Sequence, residues 1–255
     1  MDLLNLPPIA RLHQRLFAFA YRLHEAELDL VAHLPRLIRA WRPDWPSKVP
    51  LGLDVGAGLG PYALHMLKYC TDVVVVEPNS AQAAYLRRTL GDRVQVIEAA
   101  ASDSSGTAWL VDDGTGSTWR RPLARLSPSS NSHVWRQPCA VETVDRLMDR
   151  LGLAQTPGPL VAKIDVEGHE LAVLQGMTAL LHERPALIVI EIETRLNPNS
   201  RAVFDFFKAA GFECHVYHRG RLLPASHETA EMMAQRVPTR FARLAGYRSN
   251  FIFLR

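Results

Sequence analysis

The sequence predicts an α/β fold: a Rossmann-like, doubly wound sheet of seven strands, mostly parallel with one antiparallel edge strand, and helices on both faces. Three observations carry this. From Leu51 onward, continuous apolar runs alternate with helical patterns, as parallel strands covered on both faces require. The first run, Leu51, Leu53 and Val55, ends in three glycines at alternate positions, Gly56, Gly58 and Gly60, ahead of a helical segment. Later runs end in acids, at Glu77, at Asp165 to Glu170 and at Glu191 and Glu193, where an open α/β sheet binds its ligands.

Bulk properties narrow the function classes. With 255 residues, 47% apolar and 22% charged, the chain holds one large core or a domain with an appendage, and its composition argues against disorder. The formal charge of +3 is mild and comes with no Lys/Arg-rich run, so nucleic acid is not an expected partner. Cys70, Cys139 and Cys214 are odd in number and widely spaced, which reads as reduced thiols rather than disulfides or a metal site. Neither a leader pattern nor the about 20 apolar residues of a membrane span is present, so a cytoplasmic location is expected.

Taken in order, residues 1–46 read as a helical cap, with Leu12, Leu16, Phe19 and Leu23, then Leu30, Leu34, Leu37 and Ile38, at helical spacing. The alternative to simple packing on the sheet is weak peripheral contact of its basic face with an anionic membrane surface, or a role at the substrate entrance. Residues 47–255 form the main domain. A helix to about Tyr69 follows the glycine turn, then strand Asp72–Glu77, a helix from an Asn79/Ser80 cap to Leu90, and strand Arg93–Glu98. Thr107–Val111 reads as a short edge-like strand. The irregular stretch 112–138 is longer than an ordinary connection, and its Trp119, Arg120, Arg121, Arg125, His133, Trp135 and Arg136 favour a substrate lid over a plain loop. A helix is expected over Val141–Leu151, a strand over Leu160–Ile164, a helix to about His182, and a strand over Ala186–Glu193. Helix Ser200–Ala210, strand Phe212–Tyr217, an amphipathic piece near Glu228–Arg236 and a final strand Asn250–Leu254 complete the chain.

The glycine spacing selects the ligand. A dinucleotide turn wants Gly-x-Gly-x-x-Gly, but counting from Gly56 that third position is Pro61, and no Gly-Lys-Ser/Thr follows. A cofactor with ribose and adenine but no pyrophosphate fits better, and S-adenosylmethionine is the obvious one. Glu77 is the candidate for the ribose hydroxyls, with Asp54, Gly56, Gly58 and Gly60 in the turn. Ala99-Ala-Ala-Ser-Asp103 leaves room for a flat adenine, with Ser102 and Asp103 as polar contacts; an ordinary turn is the competing reading. In the run Lys163-Ile-Asp-Val-Glu-Gly-His-Glu170, three acids and a histidine end a strand that would lie beside the first. Lys163 reads as a buried partner of Glu191 or Glu193.

These residues also carry a family resemblance. Asp54 to Gly60, Glu77, Ala100-Ala-Ser-Asp103 with Gly106, Val144-Asp145-Arg-Leu147, Lys163 to Glu170 and Leu174-Gln-Gly176 together resemble the FkbM family of class I S-adenosylmethionine-dependent methyltransferases. The resemblance covers about Glu25 to the C-terminus. One departure is Gly58, where the family commonly has asparagine, so one hydrogen bond near the cofactor is missing. The resemblance implies O-methylation of a hydroxyl, in many members on a sugar or a polyketide-type natural product.

An alcohol is a weak acid, so its methylation calls for a base or a metal that acidifies it. His169 is the first candidate for base and Asp165 the second. Glu167, Trp119, Arg121 and Trp135 are candidates for the acceptor, a small molecule or glycan. Mg²⁺ on Asp165, Glu167 and His169 is weighed against plain substrate hydrogen bonding, and no metal ligand is assigned. A protein or lipid-headgroup acceptor, a non-catalytic module that keeps the fold, and assembly into a homo-oligomer stay open.

Overall fold

The computed structural model describes residues 25–112, 125–127, 135–182, 184–194, 197–236 and 249–255. In chain order its elements begin α1 (Glu25–Trp41), β1 (Val49–Val55), α2 (Pro61–Met66), β2 (Cys70–Val76), α3 (Ser80–Leu90), β3 (Gln95–Ile97), β4 (Ala100–Ala101) and β5 (Gly106–Asp112). There follow β6 (Arg125–Ser127), β7 (Trp135–Glu142), α4 (Val144–Arg150), β8 (Leu160–Ile164), α5 (Glu170–Gln175), α6 (Thr178–His182) and β9 (Ala186–Glu191). The chain closes with α7 (Ser200–Ala209), β10 (Glu213–His218), β11 (Arg221–Pro224), α8 (His227–Arg236) and β12 (Asn250–Leu254).

The main sheet runs β3-β2-β1-β8-β9-β12-β10-β11. Strands β1, β2, β3, β8 and β9 pair in parallel. The chain winds outward from β1 to β3, then returns to lay β8 on the other side of β1. That reversal opens a crevice beyond the carboxyl ends of β1 and β8, the usual ligand position in such sheets.

Alternation along the strands feeds two cores, one on each face. Val74 and Val76 of β2 join Leu147, Leu174 and Phe207 in one, while Val73 and Val75 join Leu30, Leu34, Tyr62 and Leu86 in the other. Each such side chain removed from water contributes roughly 1.5–3 kcal/mol. Helix α1 belongs to the second core through Leu30, Val31, Leu34, Leu37 and Ile38, a helical row that the periodicity predicts. Tyr217 of β10 donates its hydroxyl to Asp29 of α1 at 2.6 Å, so helix and sheet are also joined by a polar contact.

The strand count differs from the expected seven. Among the described residues the main sheet has eight strands, because β11 adds a short hairpin partner to β10. The reversed strand β12 is not at the edge: it pairs antiparallel with both β9 and β10 and lies between them. Among the described residues a second sheet of four strands, β4-β7-β5-β6, pairs separately from the first. The Thr107–Val111 stretch therefore pairs on both sides, with β7 and β6, and carries its own small core of Ala100, Leu110 and Cys139. Part of the expected lid is also strand, at Arg125–Ser127 and from Trp135 onward; the remainder lies outside the described residues. The helix expected from Val141 starts at Val144, where Thr143 accepts the Arg146 N–H and caps it.

Candidate active site

The glycine turn is a run of left-handed backbone: Gly56, Gly58 and Gly60 have φ of 72°, 57° and 75°. At Gly56 a Cβ would lie 1.9 Å from the carbonyl oxygen of Asp165, so glycine is required for β1 and β8 to end side by side. A Cβ at Gly58 would meet nothing within 4 Å. The left-handed φ also suits asparagine, so the backbone here accepts either residue.

Two acids hold this turn. Asp54, buried at the end of β1, accepts the Ala63 N–H at 2.8 Å and so fixes the first turn of α2, which Pro61 opens. Glu77 is 4% exposed and accepts the Gly58 N–H at 2.7 Å through Oε2 and the Asn79 N–H at 2.8 Å through Oε1. Burial pushes its carboxyl up to about 7, against the pull of those two N–H groups.

Across the crevice, Asp165 donates its N–H to the Val55 carbonyl at 2.9 Å. Its carboxylate lies 3.2 Å from the Lys163 ammonium, which also stands over the Tyr62 ring at 5.2 Å. This buried lysine thus has an acid from its own strand end as one partner. Glu167 adopts φ 51°, unusual without a glycine. It is exposed as a residue, yet the protein around its carboxyl, then Asp165 and Glu170, push it up to about 8 while Lys163 opposes. Glu170 is buried and accepts from the Gly168 N–H at 2.8 Å and from the Asn197 amide. It therefore shapes the loop on which Glu167 and His169 sit.

His169 occupies the N-cap position of α5 without capping it through its side chain, and its Nε2 lies 2.9 Å from the Ser102 hydroxyl. Ser102 also reaches Asp103 Oδ1 at 3.2 Å. Burial lowers the His169 imidazole below its ordinary range, with Asp103 partly opposing, so the ring is a neutral proton acceptor near pH 7. Ser102 and Asp103, chosen as adenine contacts, thus stand beside the candidate base. A Cβ on Gly176 would come within 1.9 Å of the Ser102 carbonyl, so this glycine lets the two loops touch.

Other residues fall differently. Trp135 packs against the small core of the second sheet, and Arg136 on the opposite face lies over Trp109 at 5.5 Å. Trp119 and Arg121 lie outside the described residues. No group of three or more His, Cys, Asp or Glu among the described residues has the spacing of a metal site, so the Mg²⁺ reading gains no ligand set. Sequence reasoning missed Gln137, which donates to the Pro78 carbonyl at 2.9 Å and accepts from Ser80 N–H at 3.3 Å, tying the second sheet to the loop after Glu77. Only its position within the irregular stretch 112–138 hinted at it.

The sequence profile of the methyltransferase FkbM domain matches residues 54–214, which runs from the acid before the glycine turn into β10. The chain belongs to the FkbM methyltransferase family. Solved structures with a similar arrangement are distant. Methyltransferase FkbM from Methylobacillus flagellatus aligns at 15% identity and TM-score 0.48, over 81% of this chain and 44% of that one. This chain thus spans less than half of that protein's length. Precorrin-6y C5,15-methyltransferase from Geobacter metallireducens aligns at 9% identity and TM-score 0.43, over 89% of each chain. CalS10, an amino pentose methyltransferase from Micromonospora echinaspora, aligns at 18% identity and TM-score 0.33, over 69% of this chain and 55% of that one. No curated protein matches. Among the described residues, no helix is long and apolar enough to cross a membrane.

Within this FkbM methyltransferase chain, part of the matched block is structural. Asp145 accepts the Ala179 and Leu180 N–H groups at 3.0 and 2.9 Å, capping α6 from a distance, and its own N–H bonds the Gly176 carbonyl at 2.9 Å. Asp145 and Gly176 therefore hold the frame in which Ser102 meets His169.

Proposed function

We propose that the chain is an S-adenosylmethionine-dependent O-methyltransferase acting on a hydroxyl of a sugar, glycan or other natural product. The observation that supports it most is the pinning of Gly58 N–H to the buried Glu77 carboxylate, beside the Gly56–Asp165 contact that brings the His169 loop across the crevice. The fit is good on this chain's own atoms. Each Glu77 oxygen holds one backbone N–H and keeps a further lone pair for a ribose hydroxyl. The turn itself carries no side chains at its three glycines, so a ligand can approach the main chain.

S-adenosylmethionine supplies a methyl group on a sulfonium that is already a strong electrophile. What remains for the protein is alignment of the acceptor oxygen and removal of its proton. His169 takes that proton, Ser102 and Asp103 hold the ring, and Asp165 and Glu167 orient acceptor hydroxyls. The raised Glu167 carboxyl would be drawn towards its ionised form by a nearby sulfonium, which suits a cationic cofactor.

Titration calorimetry with S-adenosylmethionine, then transfer of labelled methyl to a panel of sugars, glycans and polyketide-type alcohols, tests this reading. Heat on cofactor addition and label on an acceptor oxygen are expected; absence of heat would sink it. Label found on a protein or on a lipid headgroup would keep the methyl transfer and replace the acceptor.

Glu77 adds a pH signature. Its folded carboxyl is raised, so the neutral form is favoured: its contribution to stability is complete below its ordinary range near 4.5 and is lost as pH rises towards 7. Ribose hydroxyls and the sulfonium favour the ionised form instead. Cofactor affinity should therefore rise as pH goes from about 6 to 8, by up to tenfold per unit below the midpoint. Glu77→Gln should flatten that rise and weaken binding; a wild-type affinity independent of pH over this window would remove Glu77 from the cofactor.

A further inference from the structure

The polar side chains that no hydrogen bond satisfies are informative, because a native fold rarely leaves them without a reason. Among the described residues these orphan atoms include the Trp45 indole nitrogen, the Tyr69 hydroxyl and His215 Nδ1, none of which lies on the helix that follows Glu77. Gln82 is different. It is 3% exposed, and its amide nitrogen Nε2 is buried without a partner among the described residues.

Its place on α3 says what it faces. Gln82, Leu86 and Leu90 are spaced by four and form one row along the helix. Leu86 touches the glycine turn: a Cβ at Gly60 would be 2.5 Å from Leu86 Cδ2 and 3.5 Å from Leu90 Cδ1. Gln82 lies on the same row, one turn nearer the helix start. That start follows Glu77 directly, through Pro78 and the Asn79 cap, whose Oδ1 accepts the Ala81 and Gln82 N–H groups at 3.0 and 3.2 Å. The unsatisfied amide therefore lies one turn before Leu86, on the helix face that packs against the glycine turn at Gly60.

Burying an amide without a bond costs more than burying a methylene of the same shape. Leucine continues the row below, and methionine would fill the same volume without that cost. We infer that Gln82 is a binding residue for the adenosyl part of the cofactor, its amide completing its hydrogen bond on the ribose that Glu77 also holds. This rests on the cofactor reading above. It adds a neutral donor to a ribose site otherwise made of one carboxylate and backbone N–H groups.

The Gln82→Met variant tests it through two readouts that move in opposite directions. Thermal stability of the free protein should stay level or rise, because an unsatisfied buried amide is removed. The dissociation constants for S-adenosylmethionine and S-adenosylhomocysteine should both rise about fivefold to tenfold, as befits a group that both ligands share. Affinities within twofold of wild type, whatever the melting temperature does, would overturn the assignment. If the variant does not fold, the side-chain amide resonances of Gln82 in the wild-type chain decide instead: they shift on titration with S-adenosylhomocysteine, or the inference fails. Failure of the cofactor reading itself looks different, since wild type would then bind neither ligand.

Discussion

Gly56→Ala should be the most damaging single methyl that can be added to this chain. Two costs coincide at the position. The backbone sits at φ 72°, where an L-residue loses about 1–2 kcal/mol relative to glycine. The new Cβ would also stand 1.9 Å from the Asp165 carbonyl oxygen, and that neighbour is main chain rather than a flexible side-chain tip. Relief means pushing β8 away from β1, whose pairing runs to Val55↔Ile164, or breaking the Asp165 N–H bond to Val55. Overpacking of that kind costs about 1–3 kcal/mol more. The expected sum is about 2–5 kcal/mol, a fall in melting temperature on the order of 5–20 °C for a chain of this size. Cofactor affinity should drop on the order of 100-fold, since the same movement shifts Gly58 off Glu77. Gly58→Ala is the control: its φ is also positive, but its Cβ meets nothing, so only the backbone cost applies. Equal melting temperatures for the two variants would mean that the close approach of β1 and β8 is not what glycine serves here.

That contrast shows which parts of the molecule a linear reading can reach. The turn, Glu77 and the acidic end of β8 are legible because each is written in a few consecutive residues whose chemistry has one natural place in a parallel sheet. The pairing of β8 with β1 follows from the same logic, since continuous apolar strands separated by helices admit few orders. What the residues do not encode locally is pairing across long gaps. Strands β5 and β7 pair from Gly106↔Val141 to Asp112↔Trp135, and nothing between them announces that partnership. The Gly/Ser/Pro-rich stretch hid β6 and the start of β7 for that reason. Position in the sheet is equally non-local: Asn250–Leu254 reads as a strand from its aromatic and β-branched residues, but only its two neighbours, β9 and β10, make it internal.

The site followed the same division. His169 is legible as a histidine among acids, whereas its partner Ser102 lies 67 residues away and shows locally only as a candidate adenine contact. Asp145 and Gly176 were visible as motif residues, but their duties lie in the third dimension: a cap on α6 and a gap for the Ser102 carbonyl. Lys163 is the instructive case. The cost of a lone buried ammonium demanded an acid from somewhere, and Asp165, two residues on and across the strand end, lies within 3.2 Å.

His169→Ala should remove the proton acceptor and leave the cofactor site standing. The ring stands at the N-cap position just before α5, its pKa is lowered by burial, and it meets the Ser102 oxygen at 2.9 Å. That contact also determines which nitrogen can act. A serine hydroxyl has one proton; when Ser102 donates it to Asp103 Oδ1, its oxygen accepts Nε2–H and the free lone pair sits on Nδ1. General-base assistance is worth about 10²–10⁴ in rate, so turnover should fall by that range while S-adenosylmethionine affinity stays within about twofold. The pH profile provides a second readout. Wild-type turnover should hold down to below the ordinary histidine range near 6.5 and then decline as the ring protonates; the variant should lose that limb. Ser102→Ala should cost less, about tenfold, and should move the limb rather than abolish it, because the ring remains but loses the partner that fixes its tautomer. Asp165 supplies the opposing test. Its carboxylate lies 3.2 Å from the Lys163 ammonium, and the role proposed for it above is to orient acceptor hydroxyls. Should Asp165→Asn abolish turnover while His169→Ala runs near wild type with its acid limb intact, the base belongs to Asp165 and the Ser102–His169 contact is only the seam between two loops.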